Sequence, residues 1–258
     1  MKTDDIDKMQ GHWILAKMGK KVLRPGGKEL TLKLIENLNI SASDAVVEFA
    51  PGLGYTAQIV LDNNPKSYTG VELDKTAIKF LQNKFEEPNV EIIAGNAAET
   101  GLLSNNYDKV FGEAMLTMQA DHRKSEMIRE AHRILKKGGL YAIHELGLVP
   151  SDINDDLKEQ IQKDLSYYIK VNARPLTEPE WKLLLENEGF KIKKIITNPM
   201  RLLEPKRMID DEGFFGSLNI LFNILKNTKA RKRILTMRHV FKQYKNEINA
   251  IAIIAEKM

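Results

Sequence analysis

Val46-Val47-Glu48-Phe49-Ala50-Pro51-Gly52-Leu53-Gly54-Tyr55-Thr56-Ala57 joins a mostly apolar run to a glycine-rich turn, and the turn to the start of a helical pattern. A short run with so little polar alternation reads as a strand buried on both faces, the kind that parallel sheets contain. Glycine at 52 and 54 lets the backbone turn sharply and lets a ligand come close to it, above the N–H groups that open the next helix. Turns of this kind stand at the carboxyl edge of an open α/β sheet.

Outward from this turn, short β-branched runs alternate with helical stretches, the order of an α/β domain with a mainly parallel sheet. Five strands are predicted at 45–49, 67–73, 90–94, 107–112 and 139–144, with helices at 55–62, 75–85 and 121–137 between them. The third helix repeats Met127, Ile128, Ala131, Ile134 and Leu135 at helical spacing, and Lys136, Lys137 and Gly138 suit its C-terminal end. A polar stretch follows the fifth strand, then Thr177-Glu178-Pro179-Glu180, a capping box that opens a helix over 179–188. Gly189 stops that helix, 190–197 reads as a sixth strand and 250–255 as a seventh. About 50 residues lie between these two strands, against a usual loop of roughly 4–6, so 200–247 is expected to form a helical insertion or cap. Helices at 12–22 and 28–38, split by Arg24-Pro25-Gly26-Gly27, make 1–38 an N-terminal lid segment. The whole, 1–258, reads as a single domain.

Composition narrows the chemistry. The chain has 258 residues, 43% of them apolar, which is enough to bury a real core. It contains no cysteine, which removes disulfide frameworks, thiolate nucleophiles and zinc ribbons. No apolar run approaches the ~18 residues of a membrane span, and the N-terminus lacks the apolar centre of a signal peptide, so a cytoplasmic location is expected. Thirty-nine Lys and Arg against 35 Asp and Glu leave a net charge of +4. That balance is uneven along the chain: from Lys226 to Lys245 there are eight basic residues and no acidic one.

The glycine turn alone leaves its ligand open. Gly52-x-Gly54-x-x-Ala57, with Glu72 eighteen residues past Gly54, also satisfies the dinucleotide fingerprint, in which an acid at the end of the second strand holds a ribose. Three features favour S-adenosylmethionine instead. Glu48 lies two residues before a small residue, where a methyltransferase carries an acid that orients the methionine amine. Gly95-Asn96-Ala97 just past the third strand resembles the Gly-Asp-Ala that cradles adenine. The run Arg133-Ile134-Leu135-Lys136-Lys137-Gly138-Gly139 resembles the stretch that leads such enzymes into their fifth strand.

Together these motifs, in order and spacing, resemble the class I S-adenosylmethionine-dependent methyltransferases, in particular the small-molecule group that includes the ubiquinone/menaquinone C-methyltransferases. The resemblance covers roughly residues 40–200. It implies a Rossmann-like doubly wound α/β sheet of seven strands in the order 3-2-1-4-5-7-6, with strand 7 antiparallel. It also implies S-adenosyl-L-methionine as cofactor, S-adenosyl-L-homocysteine as product, and a cofactor site of Glu48, Ala50, Pro51, Gly52, Gly54, Glu72, Leu73, Asn96, Ala97 and Glu113. Two positions depart from the pattern: Ala50 stands for the first glycine and Asn96 for the aspartate. Without the resemblance, Glu72 reads as a surface acid, Glu48 as a turn-stabilising one and Asn96 as an ordinary turn residue.

Methyl transfer is an in-line displacement at an activated sulfonium, so alignment matters most and a general base only where a proton must leave the acceptor. Glu113 after the fourth strand and His144 with Glu145 after the fifth stand where such a base would, although a lone histidine at a strand end is also an ordinary structural residue. Arg174 and Arg201 are available to clamp an anionic acceptor, or are plain solvated charges. The sequence lacks the Asn/Asp-Pro-Pro-Tyr/Phe loop that grips a flipped adenine, and it lacks cysteine, so the common base-modifying nucleic-acid methyltransferases fit poorly and no DNA partner is expected. No carboxylate cluster or histidine pair marks a metal, and none is expected. The acceptor is therefore expected to be a small apolar or aromatic molecule, under a lid to which His12, Trp13, Arg24, Phe214, Phe215 and Leu218 contribute. An NAD-linked oxidoreductase is one alternative. Another is an RNA-binding or RNA-modifying protein using 226–245, and the same stretch also fits an interfacial membrane helix.

Overall fold

The computed structural model describes residues 5–258, so the first four residues of the expected lid segment lie outside the described residues. Seven strands form one continuous path: β1 (Ala45–Phe49), β2 (Ser67–Glu72), β3 (Val90–Ala94), β4 (Tyr107–Glu113), β5 (Leu135–Leu148), β7 (Phe190–Pro199) and β8 (Ile248–Lys257). Their order is β3-β2-β1-β4-β5-β8-β7, and a two-residue β6 (Leu176–Thr177) adds a short parallel pairing to β5. The first five strands pair in parallel, whereas β8 runs antiparallel to both β5 and β7. With β6 set aside, this is the expected 3-2-1-4-5-7-6 path.

Alternation along the strands sorts the core into two layers. On one face Val47, Phe49, Val110, Tyr141, Ile143, Ile251 and Ile253 pack against α5 (Asp121–Ile134) and against Trp181 and Leu185 of α7 (Glu178–Asn187). On the other, Val46, Tyr68, Phe111, Ala142, Ala252 and Ile254 meet α2 (Gly27–Leu38), α3 (Tyr55–Leu61) and α4 (Lys75–Lys84). A third cluster lies off the sheet and is built by α1 (Gly11–Lys17), α6 (Asp155–Ile169), α8 (Pro205–Lys226) and α9 (Thr228–Gln243), through Ile14, Leu15, Ile161, Leu165, Ile220, Ile234, Met237 and Val240. Of the expected lid segment, α1 joins this cap with the helices of the insertion, whereas α2 packs on the sheet.

Several boundaries differ from the sequence reading, each for a local reason. The helix expected to reach residue 137 stops at Ile134, because Asn105 and Asn106 donate their N–H groups to the Arg133 and Ile134 carbonyls and Leu135 already pairs with Tyr107. Gly138 does take a left-handed conformation (φ 78°), but within β5 at a register shift rather than as a helix cap. Pairing with β8 carries β5 on to Leu148, so Glu145 lies inside the strand rather than after it. The first helix ends at Lys17, ahead of Gly19 at φ 103°. The polar stretch contains α6, capped by Asn154, whose side chain accepts the N–H groups of Asp156 and Leu157. The capping box of Thr177 and Glu180 forms as read.

Candidate cofactor and acceptor site

The turn after β1 bends through three left-handed residues, Ala50 (φ 55°), Gly52 (58°) and Gly54 (66°). The Ala50 N–H donates to the Val71 carbonyl at 2.8 Å and that of Gly54 to the Pro51 carbonyl at 2.9 Å, so the turn is held from both ends. Its glycines do different work. A Cβ on Gly54 would stand 2.7 Å from Leu81 Cδ2 and Phe85 Cε2, so this glycine lets α3 close against α4. A Cβ on Gly52 would meet nothing nearer than the Ala50 carbonyl at 4.0 Å, so the space above this glycine is open to a ligand.

Glu72 closes the cradle from the end of β2. One carboxylate oxygen accepts the Gly52 N–H at 3.0 Å, and the other accepts those of Leu73 at 2.8 Å and Asp74 at 3.0 Å. Leu73 beside it is 75% exposed, an apolar side chain left uncovered at a strand end. Across from it, the Gly95 N–H donates to the Glu72 carbonyl, and Asn96 uses its side-chain oxygen to accept the Ala98 N–H at 3.0 Å, with Ala97 buried. The rigid carboxylate, the open turn and the bare leucine fit the ribose, backbone approach and adenine of S-adenosylmethionine. Glu48 lies beneath the turn, 3% exposed, and accepts a hydrogen bond from the Tyr68 hydroxyl at 2.6 Å. Burial pushes its carboxyl up to about 8 despite that bond.

At the end of β4 and within β5 the polar groups are saturated. Glu113 accepts from Arg24 and Thr56 on one oxygen, and from Thr31 (2.7 Å) and His144 on the other. Burial alone would raise its carboxyl, but the Arg24 guanidinium and then His144 outweigh this and hold it at about 2. His144 is wholly buried, with Nδ1 2.7 Å from Glu113 and Nε2 2.5 Å from the Pro25 carbonyl. The ring is thus held between two oxygen atoms, one beside each nitrogen. Glu145, also wholly buried, accepts the N–H groups of Met115, Leu116 and Thr117 and the Thr117 hydroxyl, pinning the turn after β4.

Arg24 thus reaches from the lid into the sheet's carboxyl edge, with its guanidinium also over the Tyr55 ring at 5.1 Å. His12 and Trp13 stack at 5.1 Å between ring centroids, and burial brings the imidazole down to about 4, leaving it neutral at physiological pH. The remaining expected acceptor contacts are not brought to the site. Arg174 pairs with Asp121 at 3.4 Å and Arg201 with Glu204 at 3.8 Å, all of them well exposed. Phe214, Phe215 and Leu218, expected in the acceptor pocket, are instead exposed, because α8 turns Ile220 inward.

Sequence reasoning missed Thr31, Thr56 and Pro25, and a buried tie between the two lid pieces. Lys20 Nζ lies 3.2 Å from Asp211 with both side chains fully buried, and 3.5 Å from Glu212. Glu212 also accepts the N–H groups of Lys21 (2.8 Å) and Val22 (2.9 Å), and Asp211 that of Lys28 (2.8 Å). The only sequence signal was a run of three acids, Asp210-Asp211-Glu212, in an otherwise basic insertion.

A doubly wound sheet with a glycine turn and an acid at its carboxyl edge is the arrangement in which nucleotide-type ligands bind. The comparisons make the class specific. A family model described as "Methyltransferase domain" matches residues 47–143. A protein of Haemophilus influenzae, named only "Uncharacterized protein", is 34% identical over 251 residues, covering 96% of this chain and 98% of its own. "Probable ribosomal RNA small subunit methyltransferase A" of Pyrococcus abyssi is 39% identical over 72 residues, 28% of this chain and 26% of that protein. Among solved structures, a Haemonchus contortus phosphoethanolamine N-methyltransferase 2 bound to phosphomonomethylethanolamine and S-adenosylhomocysteine aligns with a TM-score of 0.67 at 16% identity, over 96% of this chain and 57% of that one. Residues 47–143 are thus a methyltransferase domain, and the chain is an S-adenosylmethionine-dependent methyltransferase with a Rossmann-like fold.

Proposed function

We propose that this methyltransferase acts on a small apolar or aromatic acceptor held beneath the lid, and that it does so without a protein general base at the end of β4 or within β5. The observation that carries this reading is the saturation of His144, Glu113 and Glu145, each buried and each already engaged by fixed partners. The inner wall of the cap supports the acceptor class, since Trp13, Leu23, Tyr168 and Met208 lie partly buried against its apolar cluster. The cofactor, when bound, supplies a methyl on an activated sulfonium. Glu72 then holds the ribose hydroxyls, Leu73 covers the adenine, Gly52 admits the backbone approach and Glu48 stands beneath the amine. Arg24 seals the edge against water through Glu113, which leaves alignment and exclusion of water as the protein's main contributions.

The test has two parts. Calorimetric titration with S-adenosylhomocysteine should show saturable binding that Glu72→Ala weakens by ~1–3 kcal/mol, the cost of lost hydrogen bonds to a charged group. Transfer of labelled methyl to a panel of small aromatic and isoprenoid acceptors should then give a turnover rate with no ionisation between pH 6 and 9 beyond the acceptor's own and that of Glu48 near 8. A bell-shaped profile that His144→Asn abolishes while cofactor affinity persists would overturn the base-free reading. The RNA alternative predicts methyl transfer to ribosomal RNA, and the NAD alternative tighter binding of NAD than of S-adenosylhomocysteine. The family membership favours neither.

A further inference from the structure

Among the described residues sixteen large apolar side chains are exposed, most of them scattered singly. Six of the sixteen, Phe214, Phe215, Leu218, Leu221, Phe222 and Leu225, fall within twelve consecutive residues of α8. At the helical turn of 100° per residue they occupy one arc of about 120°. Single exposed leucines need no explanation, but a continuous stripe of this kind does.

The stripe is not the helix's packing face. Ile220 is buried on the opposite side, Ile224 packs against the cap cluster, and Asn223 donates to the Met18 carbonyl at 3.0 Å. The helix is therefore apolar on two sides and uses only one of them. Gly213, at φ 74° and ψ 170°, breaks α8 just before the stripe, so the preceding turn can bury Arg207 and Asp211 while the stripe runs outward.

Charge says what covers it. Residues 213–246 contain no Asp or Glu and eight Lys and Arg, while the rest of the chain holds 31 basic against 35 acidic residues. Lys226, Lys229, Lys232, Arg238, Lys242 and Lys245 are exposed, with Lys226 lying 4.1 Å above the Phe222 ring and Lys229 paired to Asp7 at 3.3 Å. Arg233 is set apart, because its guanidinium is used on the Ile6, Asp7, Met9 and Tyr168 carbonyls. A positive hairpin on a net-negative body orients the molecule toward a negative surface.

We infer that the α8–α9 hairpin docks the protein on an anionic lipid bilayer, with the stripe of 214–225 in the acyl boundary and the flanking lysines among the headgroups. Apolar stripe and basic flank together are the recognition chemistry of an interfacial helix. Nucleic acid matches the charge but not three leucines among six exposed apolar side chains. A second copy matches the stripe but not the charge, since a two-fold contact would oppose two basic hairpins. The inference stands apart from the acceptor reading, as it needs no bound cofactor.

The test is co-sedimentation of the full chain with vesicles of phosphatidylcholine alone and of phosphatidylcholine mixed with phosphatidylserine, at low and physiological salt. Binding to the mixed vesicles is expected, weaker by roughly tenfold on neutral ones and falling with salt. The pair Leu221→Glu with Leu225→Glu should lower it by roughly tenfold or more even at low salt, and Lys232→Glu with Lys242→Glu should flatten the salt dependence. Both pairs should keep the thermal midpoint and the affinity for S-adenosylhomocysteine, because these side chains face solvent. Vesicle binding that ignores the leucine pair would overturn the inference. So would absence of vesicle binding, whether accompanied by tight binding of a single-stranded RNA or by a concentration-dependent dimer that the leucine pair dissolves.

Discussion

Ala50 and Gly54 share a left-handed backbone four residues apart, yet the chain needs glycine at only one of them. Ala50 is exposed and carries its Cβ at the cost of a strained φ, so Ala50→Gly should leave cofactor affinity intact and raise stability by up to ~1 kcal/mol in urea unfolding. Gly54→Ala meets both strain and the Leu81 and Phe85 contacts, and should cost about 2–4 kcal/mol in the same measurement. Glu48 adds a pH signature. Its carboxyl rises from 4.5 in the open chain to about 8 when buried, so the folded form keeps a proton that the unfolded form has released. The associated stability is fully present below 4.5 and is lost as pH climbs through 8, with a slope of at most ~1.4 kcal/mol per unit. Unfolding of Glu48→Gln from pH 4 to 9 should lack that fall, and parallel curves for variant and native chains would refute the assignment. These residues were legible because the turn's chemistry is written contiguously in twelve positions. The saturation of His144 was not, because its partners are Glu113 and the Pro25 carbonyl, 31 and 119 residues away.

At the scale of elements, periodicity served wherever a helix or strand packs on one neighbour and failed where a neighbour sets the end. The α5–β5 junction is decided by donors from residues 105 and 106, which no pattern within 121–144 reveals. Reading the segment after β5 as a polar stretch missed α6, although Asn154 caps it and Leu157, Ile161 and Leu165 recur at helical spacing, because its charged exposed face masks that period. The insertion between β7 and β8 was correctly taken as helical, but its aromatic stripe was assigned inward because spacing gives a face without saying which way it points. Gly213 governs that direction. A Cβ there would touch nothing within 4 Å, so Gly213→Ala tests the backbone alone, and at φ 74°, ψ 170° it should cost about 1–3 kcal/mol or straighten α8. Limited proteolysis across 205–226 beside an unfolding curve would separate the two outcomes.

For the whole molecule, the parallel α/β pattern gave the sheet and the family resemblance its strand order, whereas the closure of the lid depends on contacts that span the chain. Lys20 and Asp211 are 191 residues apart, and Arg24 and Glu113 are 89 apart. Removing the lysine leaves two carboxylates with no cation in a buried place, so Lys20→Ala should destabilise the fold by about 3–5 kcal/mol in urea unfolding. Asp211→Asn should cost less, because the amide oxygen can still accept the Lys28 N–H and Glu212 remains beside the lysine.

That tie has a kinetic corollary. Segment 20–28 is fastened to α8 by Asp211 and Glu212 and to the end of β4 by Arg24, so any opening over the sheet's edge would have to release Arg24 and carry the segment and α8 together as one leaf. Two ligands cannot come and go through it independently. If exchange requires that leaf to open, the homocysteine product should be competitive against the cofactor, and a non-competitive pattern would refute it. Turnover should then slow in proportion to added sucrose or glycerol, as the pace is set by a swinging leaf in a viscous medium and hardly by the nucleophilicity of whatever lies behind it.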